Sequence, residues 1–227
     1  MMNQETWKAT LDLQGNSRVK SVGIGLTNRC DLKCGHCYSR RLPTGDLSLD
    51  DVKQILACFP DLERVNFGTG ESVLCPDFFE ILDLLRSRGV GMALTTNGLT
   101  VGGLSDDQLE CFKDIDVSLD FPSAAMHDEW RGRRGAWADA VRALARCRHA
   151  GLNTSIALAL MNHNYRYLPG FRSILDEFDI CLRLNVYKPV WTRDFELSYD
   201  QFWGGNAPVC RWLQSRKCLG TDPVSSH

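Results

Sequence analysis

Short apolar runs alternate with helically spaced apolar positions from about residue 19 to residue 190. Strands are predicted over Val19–Thr27, Arg64–Gly68, Val90–Thr96, Ile115–Phe121, Thr154–Leu160 and Cys181–Tyr187. Helices are predicted over Asp50–Phe59, Asp77–Arg88, Asp106–Lys113, Ala136–Ala150 and Tyr165–Phe178. In the first helix Val52, Ile55, Leu56 and Phe59 keep one apolar face. Ser48-x-x-Asp51 and Ser105-x-x-Gln108 read as capping boxes, while Gly89, Gly98 and Gly151 punctuate the element ends. Repeated strand–helix units imply an α/β fold with a parallel sheet and right-handed crossovers, and six of them fit a partial (β/α)6 TIM barrel.

Strand alternation says where polar groups point. On the fourth strand Asp116, Ser118 and Asp120 oppose Ile115, Val117 and Leu119; on the sixth Arg183, Asn185 and Tyr187 oppose Leu182, Leu184 and Val186. The apolar sets should meet the helices, leaving the polar sets facing the barrel interior. A closed barrel fills that space with branched apolar side chains, so polar residues there imply a lined cavity, or else a buried hydrogen-bond network.

At 227 residues the chain is long enough for one well-buried domain. We divide it into an extension (1–18), a core (19–189) and a C-terminal helix with a polar tail (190–227). A net charge of −2 leaves nucleic-acid binding unsupported. No apolar run resembles a signal-peptide core or a membrane span, which points to the cytoplasm and to reduced thiols. The ten cysteines then read as metal ligands or small buried residues rather than as a disulfide framework.

Three of those cysteines, Cys30, Cys34 and Cys37, stand in Cys30-Asp31-Leu32-Lys33-Cys34-Gly35-His36-Cys37. A [4Fe–4S] cluster that only passes electrons has four thiolate ligands, so three leave one iron open. The alternatives are a zinc knuckle, for which a second C-x-x-C pair is missing, and unrelated buried thiols. The cysteines follow strand one, Gly68-Thr69-Gly70-Glu71 follows strand two, and Thr96 and Asn97 close strand three. All lie at C-terminal strand ends, where barrel enzymes build their sites.

Cys-x3-Cys-x2-Cys after a first strand resembles the motif of the radical S-adenosylmethionine (radical SAM) superfamily. Gly68-Thr69-Gly70-Glu71 resembles its GGE loop, Thr95-Thr96-Asn97-Gly98 its TNG strand end, and Ser118-Leu119-Asp120 its ribose contact. His127-Asp128-Glu129-Trp130-Arg131-Gly132 is similar to the HD-x-x-RG segment of the branch that often carries a C-terminal SPASM cluster domain.

This resemblance implies that Cys30, Cys34 and Cys37 bind a [4Fe–4S] cluster whose open iron takes S-adenosylmethionine. Reductive cleavage would then give a 5′-deoxyadenosyl radical that abstracts hydrogen from a peptide or a small metabolite. Implied contacts to S-adenosylmethionine are Gly68, Thr69, Gly70 and Glu71, then Thr96 and Asn97, then Ser118 and Asp120, with Asn185 and Tyr187 on strand six. Arg131 would pair with the methionine carboxylate, and either His36 or Tyr38 would meet adenine. Arg133, Arg134, Arg142, Arg146 and Arg148 read instead as a solvated helix face. An electron donor such as flavodoxin or ferredoxin is implied, and no acid or base catalyst is identified. The competing reading is a non-enzymatic iron–sulfur protein, or an inactive barrel acting as a binding partner. Cys210 and Cys218 are too few for a second cluster by themselves.

Overall fold

A computed structural model describes residues 19–203, and its six strands form one parallel sheet in chain order. They are β1 (Ser21–Ile24), β2 (Arg64–Phe67), β3 (Gly91–Thr96), β4 (Phe112–Ser118), β5 (Asn153–Leu160) and β6 (Cys181–Val186). The helices are α1 (Leu49–Cys58), α2 (Phe78–Ser87), α3 (Leu99–Gly103), α4 (Asp106–Leu109), α5 (Ala124–Arg131), α6 (Ala136–His149) and α7 (Arg172–Phe178). β1 and β6 are the two edges, so the curled sheet is a partial barrel. Both predicted capping boxes are present, Ser48 with Asp51 and Ser105 with Gln108.

The outer face of the sheet carries Val65, Phe67, Met92, Leu94, Ile115, Val117, Ile156 and Leu158, all buried against the helices. Burying each such side chain contributes about 1.5–3 kcal/mol, so this layer supplies most of the drive to fold. The inner face is polar as predicted. Arg64 pairs with Asp114 at 3.1 Å, and Asp116 binds both Arg183 at 3.2 Å and the Ser155 hydroxyl.

Several predicted boundaries change. β1 stops at Ile24, where its partner β2 ends at Phe67. Beyond it Leu26 and Thr27 pair with Leu47 and Asp46, which closes the base of the cysteine loop. The helix predicted to Lys113 ends at Leu109, because Phe112 already opposes Met92. A bulge between Met92 and Ala93 lets both Phe112 and Ile115 reach the core. Pro169, lacking a backbone N–H, lies within a 3₁₀ stretch over Tyr165–Phe171 that precedes α7. α3 and α5 were not predicted. On β6 Leu182 is buried as expected, but Val186 is exposed at the sheet edge. Cys181 is disulfide-bonded, against the expectation of thiols alone, whereas the seven other described cysteines are free. Cys210 and Cys218 lie outside the described residues.

Candidate active site

The cysteine loop rises between Thr27 and Asp46, whose side chains bond at 2.6 Å. Arg29 adds a forked pair to the same Asp46 carboxylate, holding it below the usual carboxylate range. Within the loop, the Leu32 N–H points to Cys30 Sγ at 3.5 Å. Burial pushes the Cys30 thiol up to about 12 and raises that of Cys34. Thiolates in this setting need metal coordination in place of water.

The second wall follows β2. Gly70 has φ +60°, and a Cβ there would lie 2.5 Å from the Arg29 carbonyl oxygen, so only glycine lets this loop touch the cysteine loop. Thr69 is also left-handed, at φ 83°, and shares a 2.5 Å hydrogen bond with the Tyr38 hydroxyl. Glu71 is buried, and its carboxylate accepts from Thr96 Oγ1 at 2.7 Å, Asn97 N at 2.5 Å and both Thr100 donors. Burial raises its pKa while these donors oppose the rise. Its oxygens therefore fix the turn after β3. That turn sends Asn97 Nδ2 to Asp31 at 2.9 Å and toward Cys30 Sγ at 3.6 Å.

The HD-x-x-RG segment braces the third side. His127 Nδ1 accepts from Asp120 N at 3.3 Å, and Asp128 accepts from Gly135 N and Trp137 N at the start of α6. Arg131 is buried; its Nη1 donates to Cys34 Sγ at 3.6 Å and its Nη2 lies 2.8 Å from Asp120 Oδ2. Trp130 Nε1–H donates to His36 Nδ1 at 3.0 Å, with the two ring planes nearly parallel at 6°. Burial lowers the His36 pKa, so the ring is neutral and, with Nδ1 accepting, carries its proton on Nε2. Arg133 is no solvated residue, since it binds Asp31 at 3.1 Å and also Asp139. Sequence reasoning missed His127, Asp128, Trp130 and Arg133 as site-builders, although the motif that contains three of them was legible.

These walls enclose a cavity of about 650 Å³. It is lined by all three cysteines and by His36, Tyr38, Thr69 to Glu71, Thr96, Asn97, Ser118, Asp120, Arg131, Asn185 and Tyr187. Of the predicted contacts only Gly68 is absent from the lining. Val186, Lys188 and Val190 join it at the mouth. Asp120 Oδ2 and Arg131 Nε are buried without a hydrogen-bond partner; the 2.8 Å approach of Arg131 Nη2 to Asp120 is an ion pair too poorly aligned to count as one. A cavity with three cysteines on one wall, and a buried ion pair beneath whose Arg131 Nε has no hydrogen-bond partner, suits an iron–sulfur cluster with a polar zwitterionic ligand. Among the described residues, no three His, Cys, Asp or Glu side chains converge as ligands for a single ion. Cys30, Cys34 and Cys37 would instead each hold a different iron of a cluster.

The sequence model of the radical SAM superfamily matches residues 24–171. The mycofactocin maturase MftC of Mycobacterium tuberculosis (strain ATCC 25618 / H37Rv) is 33% identical over 208 residues, covering 84% of this chain and 51% of MftC. An AdoMet-dependent heme synthase of Oleidesulfovibrio alaskensis is 27% identical over 180 residues, 76% of this chain and 45% of the synthase. Streptococcus suis SuiB bound to its precursor peptide SuiA superposes with a TM-score of 0.72 at 18% identity, over 88% of this chain and 47% of SuiB. The chain thus spans about half the length of the curated relatives it matches. The cysteine loop, the Gly68–Glu71 loop and the strand-three turn all fall inside the matched region and meet at one cavity, and this chain belongs to the radical SAM superfamily, a family that works with a [4Fe–4S] cluster and S-adenosylmethionine.

Proposed function

We propose that the chain is the catalytic core of a cytoplasmic radical SAM enzyme of the SPASM-type branch that modifies a peptide, with residues 19–189 as the functional unit. The observation that carries this is the cavity in which three cysteines share a wall with the buried Asp120–Arg131 ion pair, whose Arg131 Nε has no hydrogen-bond partner. Cys30, Cys34 and Cys37 would hold the cluster. Thr69, Gly70, Ser118, Asn185 and Tyr187 would line the S-adenosylmethionine site, with His36 and Tyr38 as the rings available to adenine. When bound, the two groups supply one-electron cleavage of a carbon–sulfur bond and hydrogen abstraction.

The chain's own residues orient and shield. Glu71 fixes the turn that brings Asn97 to the cysteine loop, Asp120 holds Arg131 against Cys34, and Trp130 sets the plane of His36. Tyr38, Val186 and Val190 form an exposed apolar mouth, beside which Trp191 Nε1–H donates to the Tyr38 carbonyl, and this rim is suited to an extended peptide. SuiB, solved with its precursor peptide, supports that substrate class. The relative named as a heme synthase keeps a small metabolite as the second reading. Among the described residues no helix is long and apolar enough to cross a membrane.

Anaerobic reconstitution followed by dithionite tests the proposal. Wild type should release 5′-deoxyadenosine, and Cys30→Ala, Cys34→Ala or Cys37→Ala should lose iron and release together. A triple variant that still releases it would overturn the assignment.

A further inference from the structure

Among the described residues, the charged side chains lining the cavity are Glu71, Asp120, Arg131 and Lys188. Three of these are answered inside the protein. Glu71 accepts from Thr96, Asn97 and Thr100, while Asp120 pairs with Arg131, which also donates to Cys34. Lys188 differs. It is exposed at the mouth, and among the described residues its side chain makes no ion pair and no hydrogen bond.

The segment that carries Lys188 is tied at both ends. Tyr187 extends the ladder past β6, its N–H donating to the Leu160 carbonyl at 2.9 Å, and its hydroxyl donates to the Thr192 carbonyl at 2.9 Å. Trp191 Nε1–H fixes the far end to the Tyr38 carbonyl at 2.7 Å, and so to the cysteine loop. Pro189 holds the Lys188 backbone to extended conformations. Val186 and Val190, two residues to either side, are exposed and line the same mouth. Little ordering is left to pay for when a guest meets this rim. An ammonium between two apolar side chains, at the entrance to a cavity whose other charges are matched, selects a guest with a carboxylate beside apolar groups and rejects a basic one.

Resting on the peptide-modifying reading above, we infer that Lys188 is a specificity-determining residue that pairs with a carboxylate of the substrate peptide, whose neighbouring apolar side chains rest on Val186 and Val190. The carboxylate belongs either to an aspartate or glutamate side chain or to the C-terminus of the peptide.

The test is affinity selection on the iron-loaded protein with S-adenosylmethionine bound. The probe is a synthetic library of random hexapeptides, prepared once with amidated and once with free C-termini and read by mass spectrometry. Wild type should retain acidic peptides, or free-acid forms, roughly threefold better than Lys188→Met does. Lys188→Arg should keep the preference, and Lys188→Glu should reverse it toward lysine and arginine. Acidic side chains enriched among the amidated peptides assign the carboxylate to a side chain; a preference confined to the free-acid library assigns it to the C-terminus. Retention without any acidic preference, or a preference that survives Lys188→Met, would overturn the role of Lys188 and leave the peptide reading standing. Weaker binding of S-adenosylmethionine in Lys188→Met, measured by calorimetry at equal iron content, would overturn it as well by giving the ammonium to the cofactor. If wild type retains no peptide at all, the peptide reading itself fails and this inference with it.

Discussion

Arg131 donates through Nη1 to the sulfur of Cys34 at 3.6 Å, while Asp120 holds its Nη2 at 2.8 Å. A buried guanidinium beside a thiolate stabilises negative charge there, and charge grows on a cluster when it is reduced. Hydrogen bonds and net charge near the sulfurs set cluster potentials. Arg131, which the resemblance implies pairs with a ligand carboxylate, also has a buried Nε without a hydrogen-bond partner.

Arg131→Met should therefore lower the cluster's midpoint potential by roughly 65–130 mV, from the loss of a charge-assisted hydrogen bond worth about 1.5–3 kcal/mol. Arg131→Lys, keeping charge without the fork, should lower it less. Potentiometric titration followed by electron paramagnetic resonance reads this directly. Equal potentials in all three proteins would show that Arg131 acts only through packing.

His127 gives a pH dependence of stability. Burial, then the Arg131 charge, brings its pKa from 6.5 to about 4; Asp120 and Asp128 pull upward and His36 pulls downward. The folded state thus prefers the neutral ring, whose Nδ1 accepts from Asp120 N. Its contribution is complete above about pH 6.5 and is lost as pH falls toward 4, where the unfolded chain binds the extra proton. Over that window the loss amounts to roughly 3 kcal/mol. Urea unfolding at steps between pH 7.5 and 4.5 should show this slope in wild type and a shallower one in His127→Gln. Parallel curves would assign the acid sensitivity to other groups.

The alternation of Asp116, Ser118 and Asp120 with Ile115, Val117 and Leu119 was legible because period-two burial is local, and those three apolar residues are fully buried. The Cys30 to Cys37 spacing was equally legible. What the sequence hid is long-range: nothing local says that Glu71 turns its carboxylate to Thr96, Asn97 and Thr100, or that Arg133 reaches Asp31. Those pairings depend on which loops the parallel order makes neighbours. α5 was missed because His127 to Arg131 carries few apolar residues, and tertiary contacts hold it in place of an apolar stripe.

Thr69 stands where the family loop has glycine, and its φ of 83° is unusual for a β-branched residue. The strain is of order 1–2 kcal/mol. Glycine would relieve it but cost about 0.5–1 kcal/mol in chain entropy, and would forfeit the Tyr38 bond, worth about 0.5–1.5 kcal/mol. Thr69→Gly should thus leave stability within about 1 kcal/mol of wild type, whereas Thr69→Val keeps the strain and should lose about 1 kcal/mol. Chemical denaturation of the two variants and of Tyr38→Phe closes the comparison. If Thr69→Val matches wild type, the hydroxyl pair contributes nothing.

Gly70 and Gly89 share nearly the same backbone, φ +60° and φ +68°, but not the same surroundings. A Cβ on Gly89 meets nothing within 4 Å, so Gly89→Ala carries only the left-handed penalty of about 1 kcal/mol. A Cβ on Gly70 would sit 2.5 Å from the Arg29 oxygen and 2.6 Å from that of Thr27, both backbone atoms that cannot swing aside. Arg29 directly precedes Cys30, and its carbonyl accepts from Glu71 N at 2.8 Å, so relieving the clash must move the cysteine loop. Gly70→Ala should therefore lose several-fold more stability than Gly89→Ala and, unlike it, most of its iron after reconstitution. Iron content per folded chain is the deciding measurement. Full iron in Gly70→Ala would mean that the cysteine loop adjusts without cost to its ligands, and the tight contact between the two loops would then not be what positions Cys30.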